Sequence, residues 1–168
     1  DAIFAAGPDL RHESTVTRAD YADRIVAGIP DNRRTVPTPS EDFTVEQLTV
    51  HLVNGLHWAA ALPGGGSTDP NADSEPDLGG VSLIAAYRAA ADAMRSAWTP
   101  DRLDRVYDTA GDKATGAGIV QFMIIELLGH GWDLAVATGQ PTDAGADIAT
   151  AGLQVAEDLG DILRAPGM

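Results

Sequence analysis

Glu126, His130 and Asp133 lie four and three residues apart in GIVQFMIIELLGHGWDLAVAT (residues 118–138), a stretch that is otherwise almost wholly apolar. On a helix, residues three and four apart share a side, so Glu126 and His130 point the same way and Asp133 follows one turn beyond His130. A carboxylate flanked by Met123, Ile124, Ile125, Leu127 and Leu128 is costly to desolvate unless it is protonated, ion-paired or bound to a metal. A helical Glu-x-x-x-His pair presents two ligands to one cation. His51, on the edge of another apolar stripe, can supply a third from across the molecule. Two imidazoles and a carboxylate suit Zn²⁺ with one position left open for water or substrate. The same donors suit Fe²⁺ and Ni²⁺, so ligand type leaves the element open. The competing reading pairs Glu126 with an arginine and leaves both histidines as hydrogen-bonded core residues. Asp133 is open in the same way: an acceptor that orients His130, a general base, a direct ligand, or an ordinary surface acid.

Other polar and aromatic residues bear on the same site. His57 advances about 240° round its helix from His51, at 3.6 residues per turn, and belongs to the surface or rim. His12 falls in the N-terminal arm. Trp58, in line with His51, has a better claim to line a pocket than Trp132, and Asn54 and Met123 join it as expected substrate-binding residues. Gly116-Ala117-Gly118 opens a helix and is a weak candidate for an anion cradle, since no dinucleotide or P-loop fingerprint accompanies it. Asp69, Asn71 and Asp73 alternate as in a calcium loop, but Ser74 and Gly80 stand where the turn glycine and bidentate glutamate belong.

These residues require helices to position them. Thr17, with Asp20 three residues on, is a plausible cap for a first helix whose apolar face is Tyr21, Ala22, Ile25, Val26 and Ile29. Gly28 and Pro30 end it, and 31–40 form an ordered connector. Thr44 and Gln47 make a capping-box pattern for a second helix with the stripe Val45, Leu48, Leu52 and Leu56, flanked by a Phe43–Leu48 staple. Pro63 and the three glycines after it stop that helix, and an acidic loop spans 67–80. A third helix from about Val81 to Trp98 carries Ile84, Tyr87, Ala91, Met94 and Trp98 in 3-4 spacing. Residues 101–115 read as irregular, with Arg105-Val106-Tyr107 briefly extended and no convincing strand. The Glu126 helix ends at Gly139 ahead of Pro141, and a fifth runs from about Asp143 to Arg164 with Ile148, Gly152, Val155, Leu159 and Ile162 inward. The expectation is an all-α bundle with an N-terminal arm over residues 1–16 and one helical domain over 17–168.

Composition narrows the partners. The 168 residues, 44% of them hydrophobic, suffice for one domain with a sizeable core. The chain has no cysteine, so neither a disulfide nor a protein thiolate nucleophile is available. A formal net charge of −14 disfavours nucleic acid and anionic membrane surfaces. Lys113 is the one lysine, and the arginines form no stripe. No signal-peptide pattern precedes the first helix, and a cytoplasmic location is expected. A flat helical face and the arm leave a homodimer open.

The segments PTPSEDFTV (37–45), LTVHLV (48–53) and ELLGHGWDLA (126–135), followed by ATGQP (137–141), resemble the DinB-like metal-binding superfamily. Within it they are most similar to the N-terminal domain of mycothiol-dependent maleylpyruvate isomerase. The resemblance implies a four-helix bundle that binds one divalent metal through His51, Glu126 and His130. It further implies a thiol-dependent transferase or isomerase that takes a small-molecule substrate and a low-molecular-weight thiol such as mycothiol, with Asp133 tuning the site or acting as base. Many relatives carry cysteine where Ser40 stands. Metal-assisted hydrolysis, or small-molecule binding and metal sensing without turnover, are the alternatives on the same scaffold.

Overall fold

Local chemistry at the chain's caps and breaks accounts for most of its elements. The structure is a computed structural model that describes residues 20–66, 81–109, 112–158 and 160. The N-terminal arm, the Thr17 cap, His12, the acidic loop with Asp69, Asn71 and Asp73, Leu159, Ile162 and the expected end at Arg164 lie outside the described residues. The first described helix, α1 (residues 20–27), buries Tyr21, Ala22, Ile25 and Val26, the face expected from its spacing. The connector then forms a short 3₁₀ turn at Asp31–Arg33 and a single antiparallel bridge between Pro37 and Thr44.

Helix α2 (Val45–Ala61) starts where its capping box predicts. The Thr44 side chain accepts from the Gln47 backbone N–H, and the Gln47 side chain accepts from that of Thr44 at 2.9 Å. Two helical donors that would otherwise lack partners are thereby satisfied. Its buried stripe includes Val45, Leu48, Leu52 and Leu56, and it gives way to a 3₁₀ turn at Leu62–Gly64. Helix α3 (Leu83–Ala97) is capped by Ser82 and buries Tyr87, Ala91 and Met94, as the 3-4 spacing requires.

The expectation that 101–115 is irregular is corrected. Pro100 opens a one-turn helix, α4 (Pro100–Leu103), because proline's missing N–H costs nothing at a first helical position. A two-stranded antiparallel hairpin follows, β1 (Val106–Thr109) and β2 (Asp112–Thr115), with Val106 opposite Thr115 and Tyr107 opposite Ala114. The hairpin carries a weak alternating pattern because only one face is covered. Tyr107 packs edge-on against Trp98 with ring centroids 5.2 Å apart, while Val106 is exposed.

Helix α5 (Gly116–Thr138) spans 23 residues and ends at Gly139, φ 71°. It is the one described helix long and apolar enough to cross a membrane. Its inward side, Ile119, Val120, Met123, Ile124, Leu127, Leu134 and Ala135, belongs to the same apolar core as α1, α2 and α3. Helix α6 (Ala146–Asp158) packs on α5 with Ile148 against the core and Val155 buried. The described chain is therefore mostly helical. Helix α2 packs against both α3 and α5.

At Gly116–Gly118, only a weak candidate for an anion cradle, the Gly116 N–H donates to the Arg105 carbonyl at 2.9 Å. Thr115 caps the helix by accepting from the Gly118 N–H at 3.1 Å. Gly116 is buried, and a Cβ there would lie 2.7 Å from Trp98 Cζ3 and collide with the Arg102 carbonyl, so glycine serves close packing at that point.

Candidate metal centre

The core positions this site by holding α2 and α5 antiparallel. Gly55 faces the Met123 methyl, and one turn away His51 faces Glu126 and His130. His51 Nε2 is 3.4 Å from Glu126 Oε2, and His130 Nε2 is 3.2 Å from the same oxygen. Ligand atoms of all three residues lie within 4.8 Å of one another. The two imidazoles meet edge to face, with centroids 5.2 Å apart and planes at 88°. The cluster that spacing suggested within one helix is thus completed across two.

Asp133 closes the far side. Its Oδ2 lies 3.4 Å from His130 Nδ1 and accepts a 2.9 Å hydrogen bond from the Ser40 hydroxyl. The reading of Asp133 as an acceptor that orients His130 agrees with this geometry. Side-chain exposures of 31% for His51, 23% for Glu126, 21% for His130 and 15% for Asp133 put the cluster just beneath the surface, open to a small molecule.

The electrostatics follow from the pairings. Burial alone would raise the Glu126 carboxyl pKa, but hydrogen bonds and charge from His130 and His51 hold it down to about 2. Burial works against the His130 cation, yet Glu126 and Asp133 together raise its pKa above the ordinary 6.5. Glu126 is a carboxylate over the whole physiological range, as its histidine partners require. Its partners in the structure are these imidazoles, so the reading that set it against an arginine is not the arrangement found.

The donor set fits a divalent ion. A tetrahedral ion with ligand bonds of about 2.0–2.1 Å needs donor atoms about 3.4 Å apart. The His–Glu separations of 3.4 and 3.2 Å are close to that edge length, and all three donor atoms lie within 4.8 Å of one another.

Other expected residues fall at different depths. Asn54 is one turn from His51 on α2, and Trp58 is two turns along on the same side, half-buried against the core with its Nε1 shielded and without a hydrogen-bond partner among the described residues. Met123 is fully buried one turn before Glu126. His57 is exposed, as its angular offset requires. Trp132 is 48% exposed on the outer side of α5, opposite the core rather than in it. Sequence reasoning missed Ser40 and Phe43 as neighbours of the site. Phe43 packs against His51 with centroids 5.3 Å apart. The resemblance singles out Ser40 as a position where many relatives carry cysteine, but nothing local shows that the connector reaches the site, which it does only through the fold.

A family model described as the mycothiol maleylpyruvate isomerase N-terminal domain matches residues 17–135. Two curated Mycobacterium tuberculosis proteins, uncharacterized protein MT0763 of strain CDC 1551 / Oshkosh and uncharacterized protein Rv0738 of strain ATCC 25618 / H37Rv, are similar to it. Each is 30% identical over 137 residues, which covers 78% of this chain and 69% of the relative. No solved structure matches the chain.

Proposed function

The chain belongs to the mycothiol maleylpyruvate isomerase N-terminal domain family, and from that membership we propose a divalent-metal-dependent enzyme that joins a low-molecular-weight thiol to a small electrophilic substrate. Transfer or isomerisation by a mycothiol-type thiol is the chemistry proposed, on a DinB-like four-helix bundle working in the cytoplasm. The observation that carries the reading is the convergence of His51, Glu126 and His130 donor atoms within 4.8 Å. The absence of cysteine supports an external thiol, since the protein supplies none.

His51, Glu126 and His130 would hold the ion, with zinc the first choice for two imidazoles and a carboxylate and nickel or iron next. Such an ion supplies Lewis acidity that favours the thiolate over the thiol at neutral pH. The chain's own residues do the rest. Asp133 would hold the His130 ring through Nδ1, from which its Oδ2 is 3.4 Å away, and act as the base. Asn54, Trp58 and Met123 are assigned to the substrate side of the site. The partial burial of these side chains among apolar neighbours strengthens the charge interactions between them.

The test is metal analysis of purified protein, then turnover with a thiol and a panel of electrophiles. One equivalent of metal is expected in the wild type. Glu126→Gln and His51→Ala are each expected to lose at least ten-fold in metal affinity, and turnover should require both metal and thiol. Thiol-independent turnover would instead indicate hydrolysis by bound water, and ligand binding without turnover a sensor. Full-strength turnover from metal-free protein would reject the metalloenzyme reading.

A further inference from the structure

We propose that Ser40 is a positioning residue of this centre, acting through Asp133 on the protonation pattern of His130; the inference rests on the metal-site reading above. The connector before α2 is held as a closed loop. Thr38, 8% exposed, places its hydroxyl between the carbonyl oxygens of Ser40 and Phe43 at 3.0 and 2.9 Å and donates to them. Backbone hydrogen bonds from the Thr38 N–H to the Phe43 carbonyl and from the Phe43 N–H to the Ser40 carbonyl, both 3.0 Å, close the loop on itself. The Val45 N–H donates to the Val36 carbonyl at 3.0 Å and ties the loop to the first turn of α2.

From this frame the Ser40 hydroxyl donates to Asp133 Oδ2 across 93 residues of sequence, and Phe43 lies against His51. Oδ2 is also the oxygen facing His130 Nδ1. An oxygen held by Ser40 keeps its remaining lone pair on Nδ1, so the neutral imidazole carries its proton there. Its Nε2 lone pair is then left facing Glu126 and His51, which is the form a metal requires. Without the hydroxyl, Asp133 is free to rotate towards solvent, and the His130 proton can pass to Nε2, where Glu126 Oε2 lies 3.2 Å away as an acceptor. A serine that only tied the loop down would leave the His130 tautomer unchanged.

The experiment compares full-length wild type, Ser40→Ala and Ser40→Thr. The His130 tautomer is read by long-range ¹H–¹⁵N NMR in metal-free protein, at a pH where the imidazole is neutral, with the resonance assigned from its loss in His130→Gln. Zinc affinity is read by chelator competition, and circular dichroism confirms folding. Ser40→Ala is expected to move His130 from the Nδ1–H towards the Nε2–H form and to weaken zinc binding about ten-fold, within the range for partners of metal ligands. Ser40→Thr, which keeps the hydroxyl, is expected to restore both. An unchanged tautomer in Ser40→Ala overturns the proposal, as does a Ser40→Thr variant that matches Ser40→Ala in both readouts. The tautomer is measured without metal, so wild type that binds no zinc defeats the metal reading separately from the role of Ser40.

Discussion

At the scale of single residues, Glu126 and His130 make the site's response to pH calculable in sign. Glu126 has its pKa lowered from 4.5 to about 2 in the folded chain, so its contribution to stability is present above 4.5 and lost as pH falls towards 2. His130 has its pKa raised above 6.5, so its contribution is complete below 6.5 and is lost as pH rises through the folded value. Metal-free protein should therefore be most stable between those limits and should lose stability on both the acid and the alkaline side. Thermal unfolding in chelator across that pH range checks it. Metal affinity should run the other way at the upper limit. Binding must expel the His130 proton, so affinity falls up to about ten-fold per pH unit below the His130 pKa. Calorimetry in buffers of different ionisation enthalpy would count the proton released.

At the scale of elements, the clearest dependence is at the start of α2. Thr44 and Gln47 satisfy each other's backbone donors, and removing the Thr44 hydroxyl leaves the Gln47 N–H without its cap. Thr44→Ala is expected to destabilise the protein by about 1 kcal/mol, the usual cost of losing an N-cap. It should leave the metal stoichiometry at one, because His51 stands two turns further on, in the part of α2 packed against α5. Denaturant melts and metal analysis of the same preparation separate the two effects. The hairpin β1–β2 illustrates the opposite case. It lies between the one-turn α4 and the capped start of α5, and its register places Tyr107 against Trp98.

At the scale of the whole molecule, the centre joins helices far apart in the chain. His51 comes from α2 and the other two donors from α5, so a metal that binds only the folded chain stabilises it by mass action. At a free-metal concentration about 100 times Kd the gain is roughly 2.7 kcal/mol. A rise of several degrees in the unfolding midpoint on adding zinc, reversed by chelator and absent in His51→Ala, is the expected result. The net charge of −14 acts throughout as a background that attracts cations and repels polyanions.

The sequence by itself determined the long helices but not the one-turn α4, together with the capping of α2, the end of α5 and the placing of Glu126, His130 and Asp133 on one side of it. Those features depend on periodicity and on groups within four residues of each other, which a linear text displays directly. Only the tertiary structure decided that His51 meets that side at 3.4 Å, that Asp133 is held by Ser40, that Trp132 faces outward and that 106–109 pair with 112–115. Each of those depends on which faces of distant segments meet. That choice is made by burying apolar area across the whole core, a property that no window of sequence contains.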